Sequence, residues 1–266
     1  MKLPYFEVAA FARRPFAGNQ AGVCLRENRL PDALMQAIAA ENNLAETAFV
    51  LPQNGGYELR WFTPVAEIDL CGHATLASGH VLVKHCGLED TTIRFHSPRS
   101  GELGVTRDGD RLVLDFPVRP VKRCEISDEL VAALGAKPTE LYAARDYFAV
   151  FSSAAEVRAI KPDFALLKNL PNEGVLITAP GDAGDCDFVS RFFVPKHGID
   201  EDAVTGSTHC NLIPFWSERL GKTKMLARQT SARGGELYCE LRGDRVGIGG
   251  NAVTFLAGEV EVPNET

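Results

Sequence analysis

Apolar and polar residues alternate with a period of two along much of the chain. The segments are short: YFEVAAF at 5–11, AGVCLR at 21–26, TAFVLP at 47–52, YELRWFTP at 57–64, TTIRFHS at 91–97 and GELGVTRDGDRLVLDFP at 101–117, then YFAVFSS, GVLITAP, DFVSRFFVP and a long GELYCELRGDRVGIGGNAVTFLAGEVEV at 235–262. A period of two is that of a half-buried strand. Asp108-Gly109-Asp110 and Arg242-Gly243-Asp244 punctuate such segments as hairpin turns. Much antiparallel sheet is expected. Helical patterning is confined to PDALMQAIAAENN from Pro31, ATLASGHVLVKHC ending before Gly87, SDELVAALG with Ser127 as cap, PDFALLKNL, and GSTHCNLIPFWSERLG ending at Gly221.

The two mainly apolar helices sit in similar surroundings. Phe62-Thr63-Pro64 leads through an acidic stretch to Gly72-His73-Ala74-Thr75; Phe193-Val194-Pro195 leads through another to Gly206-Ser207-Thr208-His209. This weak repeat predicts an α+β protein of two similar domains, each a mostly antiparallel sheet wrapped around a central helix. The boundary is placed in FPVRPVKR, where prolines and basic residues interrupt the apolar pattern. Residues 1–118 then form the first domain, joined by the last strand at about 253–266, and residues 119–252 form the second.

Composition adds exclusions. A chain of 266 residues that is 45% hydrophobic and 24% charged is an ordinary globular sequence. A net charge of -7 with scattered basic residues argues against a nucleic-acid partner. No apolar run approaches membrane-spanning length, and MKLPYFEVAAF lacks the apolar centre of a signal peptide, so a cytoplasmic protein without a membrane partner is expected. Seven cysteines without a CxxC pair read as reduced thiols rather than a disulfide or zinc framework. His73, His80 and His85 do not share a ligand-like helical face, so no metal is expected. Gly247-Ile248-Gly249-Gly250 lies among strands, where a dinucleotide loop would need a following helix.

A helix start rich in Gly and small polar residues exposes unpaired N–H groups with the positive end of the helix dipole, a setting that holds anions. Were both helix starts to face one cleft, they would suit a small carboxylate; each can equally be a plain capped helix. Glu46 is either a solvated carboxylate or a base at a strand start. His73 either donates to a ligand or satisfies a carbonyl. Asp202 either caps its turn or binds a substrate amine, and Arg233 in SARGGE reads as solvated.

Taken together, FTPVAEIDLCGHATLA, NNLAETAFV, GNQAGV, EDAVTGSTH and GIGGNAVTFLAGE resemble the phenazine-biosynthesis PhzF-like family, which shares the diaminopimelate epimerase-like fold. The resemblance runs in order through nearly the whole chain. It implies two similar domains, a cofactor-free active site between them and commonly a homodimer. Its acid/base glutamate matches Glu46, its histidine His73, its aspartate Asp202 and its helix-start Gly-Ser Gly206-Ser207; Asn19, Gly72 and Ala74 fall in its substrate-binding motifs. The implied activity is a cofactor-independent isomerisation in which Glu46 moves a proton between carbons of a small carboxylate-bearing metabolite, cyclic or open-chain. Ala203, Ala45 and Gln20 depart from the family's usual Pro, Ser and Pro. Two other readings stay open: an amino-acid racemase or epimerase using Cys71, whose second thiol position is held by Thr205, and a non-catalytic small-carboxylate-binding protein.

Overall fold

Strands dominate, as the period-two patterning requires. The computed structural model describes residues 1–263; residues 264–266, the end of the segment assigned above to the first domain, lie outside the described residues. The chain divides into two compact units, Met1–Asp115 with the segment from Gly249 onward, and Phe116–Ile248.

In the first unit, β1 (Lys2–Ala10) pairs antiparallel with β2 (Asn19–Leu25) in a register that sets Ala10 opposite Asn19. Helix α1 (Asp32–Asn42) follows Pro31 and ends at Asn43 in the left-handed region, φ 49. Strand β3 (Glu46–Gln53) then lies parallel to β2 with Ala21 opposite Glu46, and antiparallel to β4 (Gly56–Phe62). After the two-residue β5 (Glu67–Ile68) comes α2 (Gly72–Lys84), then β6 (Thr92–Ser97), β7 (Gly101–Asp108) and β8 (Arg111–Pro117). The β7–β8 turn places Asp108 opposite Arg111, with Gly109 at φ +61 where a Cβ would be strained.

Helix α2 packs against β1, β2, β3 and β7. Residues 73–79 of its sequence, HATLASG, are all buried, and the small side chains let strands approach closely. A Cβ at Gly79 would sit 3.3 Å from Val105. The buried hydroxyls of Thr75 and Ser78 donate back to Cys71 O and Ala74 O at 2.6 and 2.8 Å, so they cost little to bury. Leu76, Val81 and Leu82 are almost fully enclosed, each contributing roughly 1.5–3 kcal/mol.

The second unit contains β9 (Lys122–Arg123), α3 (Asp128–Leu134), β10 (Glu140–Ala143), β11 (Tyr147–Val150), α4 (Ala154–Ala159), α5 (Phe164–Asn169), β12 (Val175–Pro180), β13 (Phe188–Phe193), β14 (Glu201–Asp202), α6 (His209–Leu220), β15 (Lys224–Gln229), β16 (Gly235–Arg242) and β17 (Arg245–Gly250), whose end passes into the first unit. Antiparallel pairs β10–β11, β12–β13 and β15–β16 are joined by parallel pairs β11–β12 and β13–β15. Helices α3, α4 and α5 each start at a side-chain cap, Ser127, Ser153 and Asp163.

Helix α6 begins at His209, three residues later than the pattern from Gly206 predicts, because Gly206–Thr208 form a tight turn whose carbonyls accept from His209 N, Cys210 N and Asn211 N at 3.0–3.3 Å. It carries Pro214 in its interior. Proline has no N–H, which leaves the carbonyl of Cys210 without its helical donor. Arg119 N takes that carbonyl at 3.0 Å, and Asn211 Nδ2 donates to Arg119 O at 2.8 Å. The proline-rich 116–123 segment is thereby fastened to the helix by the bonds that the proline frees.

The last strand, β18 (Ala252–Glu261), belongs to the first unit and pairs antiparallel with β1 from Ala10–Ala252 to Lys2–Glu261, with a bulge at Glu7/Val8.

Candidate functional site

Three elements of the first unit converge where α2 begins. Parallel pairing of β2 and β3 puts Asn19, at the start of one strand, near Glu46, at the start of the next, and the first turn of α2 carries Gly72, His73 and Ala74 beside them. Glu46 Oε2 lies 3.0 Å from His73 Nε2, an ion-pair distance that lacks aligned hydrogen-bond geometry, so Oε2 is buried without a hydrogen-bond partner. The Asn19 amide reaches the other ring nitrogen, Nδ1, at 3.2 Å. Cys71 Sγ stands 3.5 Å from Nδ1 and 4.0 Å from Nε2. His73, Asn19 and Cys71 are buried; the Glu46 side chain keeps 17% of its surface exposed.

These distances set the charges. Burial works against an imidazolium at His73, while negative charge at Cys71 and Glu46 works for it, and the result is a His73 pKa well above the usual histidine range. The Cys71 thiol is itself raised, first by burial and then by the Glu46 charge. A doubly protonated ring needs an acceptor at Nδ1, which a half-turn of the Asn19 amide supplies. Cys71 makes no side-chain cap for α2, and the N–H groups of its first turn lie at the positive end of the helix.

The second unit builds a different arrangement around Asp202. Thr205 Oγ1 donates to Asp202 Oδ2 at 2.5 Å. Gln229, buried at the end of β15, accepts from Thr205 N at 2.8 Å and donates to Asp202 O at 2.8 Å and Thr205 Oγ1 at 3.1 Å. From the far side His209 Nδ1 donates to Thr205 O at 2.8 Å. The ring of His209 has no surface exposure and its Nε2 has no partner among the described residues; burial lowers its pKa to about 4. Gly206 and Ser207 lie in the turn that this network holds.

Of the residues singled out in the sequence, Asn19, Glu46, Gly72, His73 and Ala74 thus gather in the first unit, and Asp202, Gly206 and Ser207 gather in the second. Sequence reasoning missed Gln229 and His209, and it named Cys71 only as the thiol of a racemase reading, without its contact with His73. A glutamine closing an otherwise alternating strand (KMLARQ) was the one available sign of a buried polar group. It missed as well that Glu46, Cys71 and His73 lie together, with a carboxylate oxygen, the sulfur and a ring nitrogen all within 4.8 Å of one another. Chemically, the first cluster offers a partly accessible carboxylate, a proton-bearing imidazole and helix-start donors, the parts needed to move a proton next to a carboxylate group.

Among the described residues no helix is long and apolar enough to cross a membrane. Residues 8–258 match the family model for phenazine biosynthesis-like proteins, PhzC-PhzF. An uncharacterised isomerase of Pseudomonas aeruginosa is 48% identical over 98% of this chain and 100% of its own. A PhzF-family phenazine biosynthesis protein from Enterococcus faecalis superposes with a TM-score of 0.96 at 49% identity, covering 98% of this chain and all of that one. A predicted epimerase from Pseudomonas aeruginosa, 18% identical over 98% of this chain and all of its own, shares the fold with a TM-score of 0.72. The fold is therefore epimerase-like, and the chain belongs to the PhzC-PhzF family of phenazine biosynthesis-like proteins.

Proposed function

We propose that the protein is an isomerase that shifts a proton between carbons of a small, carboxylate-bearing metabolite, with Glu46 as the group that removes and returns it. The observation that carries this reading is the Glu46 carboxylate, partly exposed, 3.0 Å from a His73 that bears a proton, at the start of α2. A single carboxyl group can act first as base and then as acid, with no need of a cofactor. His73 balances the charge of the base; Asn19 and the first-turn N–H groups at Gly72 and Ala74 bind the substrate. In the second unit Asp202 is suited to an amine and the turn at Gly206 and Ser207 to a carboxylate. The same reading makes the enzyme a cytoplasmic homodimer.

The racemase reading, with Cys71 as an acid/base thiol, loses support from a thiol pushed up by burial and by the Glu46 charge. Thr205, in the place of a second cysteine, gives its hydroxyl hydrogen to Asp202.

The test is solvent exchange. Protein in deuterium oxide is incubated with small cyclic and amino-bearing carboxylates while C–H signals are followed by NMR. Label uptake that falls by about 10²-fold or more in Glu46→Gln supports the isomerase. Uptake abolished by Cys71→Ala but kept in Glu46→Gln overturns the role of Glu46. Ligands that bind without exchange favour the binding-protein reading.

A further inference from the structure

The two units lead into their buried helices on one plan. Glu67 stands opposite Phe62 and Ile68 opposite Trp61; Glu201 stands opposite Phe193 and Asp202 opposite Phe192. Each glutamate is held by an arginine through two bonds, Glu67 by Arg60 and Glu201 by Arg191. Cys71 and Thr205 follow, and the carbonyl of each accepts from the side chain one turn on, Thr75 Oγ1 at 2.6 Å and His209 Nδ1 at 2.8 Å. Then β6 runs parallel to β4 with Phe95 opposite Tyr57, and β15 runs parallel to β13 with Ala227 opposite Phe188. On this plan Asp202 corresponds to Ile68, Thr205 to Cys71 and Gln229 to Ser97, whose Oγ accepts from Arg99 N within its own turn.

The first unit therefore builds the same helix start from Ile68, Cys71 and Ser97, and the chain of bonds from Gln229 through Thr205 to Asp202 is not something the fold requires. We propose that Gln229 is a positioning residue for ligand recognition. Acting through Thr205, it holds Asp202 as a hydrogen-bond acceptor, so that the second unit selects a carboxylate bearing an amine over the same carboxylate without one. The amine at Asp202 comes from the isomerase reading; its dependence on Gln229 does not.

The hydrogen positions follow from one group that can only donate. Thr205 N–H meets the Gln229 amide at 2.8 Å, so Oε1 faces it and Nε2 lies on the other side. Nε2 then gives its two hydrogens to Asp202 O at 2.8 Å and Thr205 Oγ1 at 3.1 Å. With Oγ1 already accepting, its single hydrogen goes to Asp202 Oδ2 at 2.5 Å, and that oxygen accepts. A carboxylate has about four acceptor sites, so one short bond aims Asp202 without filling it. Gln229 is 1% and Thr205 6% exposed, which keeps water from competing for these bonds. An ammonium bonds a carboxylate aimed in this way about twice as strongly as a neutral donor does, and a ligand lacking any donor gains nothing from it.

Matched pairs are the probe: alanine with propionate, 3-aminobutyrate with butyrate, and 3-aminocyclohexanecarboxylate with cyclohexanecarboxylate, titrated calorimetrically into the full-length protein. The wild type should bind the amine-bearing member of at least one pair about tenfold more tightly. Thr205→Val and Gln229→Leu should each bring that ratio close to one while the amine-free member binds as before. Thr205→Ser should keep the ratio, and the double variant should lose no more than either single one. A merely structural role would weaken both members alike. Thr205→Val leaves the backbone bonds of Gln229 in place and decides the outcome should Gln229→Leu fail to fold. Without any ligand, NMR should show the Thr205 hydroxyl proton in the wild type and lose it to solvent exchange in Gln229→Leu. No amine preference in the wild type, a preference kept in Thr205→Val, or equal weakening of both members overturns the proposal. Deuterium exchange is scored apart: exchange that needs Glu46 but comes with no amine preference sinks the selection alone, whereas a Gln229-dependent preference without exchange leaves it standing and sinks the isomerase.

Discussion

Gln229 grips Thr205 at two points, accepting from its backbone N–H at 2.8 Å and donating to its hydroxyl at 3.1 Å. The hydroxyl is then free to give its own hydrogen to Asp202 Oδ2. A residue on β15 thus decides the direction in which a carboxylate at the end of β14 can be approached. Replacing Gln229 by Leu takes the acceptor from the buried Thr205 N–H and one donor from the Asp202 carbonyl, and should destabilise the protein by about 1–3 kcal/mol in urea unfolding. Unchanged stability would mean that water or a neighbouring group takes over the bonds.

His209 should make the protein acid-sensitive. Its folded pKa of about 4 lies below the ordinary 6.5, so the unfolded chain binds the extra proton. The stability tied to the neutral ring is complete above pH 6.5 and is lost as pH falls toward 4, a total of about 3 kcal/mol. His209→Asn keeps a donor for Thr205 O but cannot titrate. Urea midpoints measured from pH 4 to 7 should fall less steeply in the variant than in the wild type; parallel slopes would contradict the buried neutral ring.

The Glu46–His73 pair has the opposite sign. A folded pKa above the ordinary 6.5 gives stability that is complete below pH 6.5 and is lost as pH rises through the folded value. Glu46→Gln should therefore lower stability most near pH 6 and least at alkaline pH. Imidazole NMR should show His73 still protonated above pH 6.5 in the wild type and titrating lower in the variant. A ring that titrates alike in both would remove Glu46 as its charge partner.

Gly18 fixes where Asn19 starts its strand. Its φ is +67, and a Cβ there would fall 2.2 Å from the carbonyl oxygen of Ala10, a backbone atom that cannot step aside. Gly18→Ala should cost at least about 2 kcal/mol in denaturant titration and weaken ligand binding through Asn19. Wild-type stability in this variant would show that the turn has an alternative path.

Much of this was readable in the residues and some was not. The alternation in YFEVAAF and TAFVLP marked β1 and β3 because one face of each is buried and the other is not. Glu46, His73 and Asp202 were found through motifs, which preserve local order. Their partners lie far along the chain: Asn19 is 54 residues from His73 and Gln229 is 24 from Thr205, and no local pattern carries such a pairing. Helix α4 was missed although Ser153 and Glu156 have the spacing of a capping box, with Ser153 Oγ accepting from Glu156 N at 3.2 Å. Its six residues are too few to show a helical period. The late start of α6 was illegible for a related reason: Gly206–Thr208 are polar and small whether they form a helix turn or the tight turn before it.

The return of β18 to β1 has a consequence for synthesis. A ribosome releases the whole of residues 116–248 before it makes the strand that pairs with Lys2–Ala10. The later-made unit can finish folding while the earlier one still waits, which inverts the usual vectorial order in which N-terminal domains fold first. During that interval the outer edge of β1 is bare backbone, open to the strands of any other nascent chain.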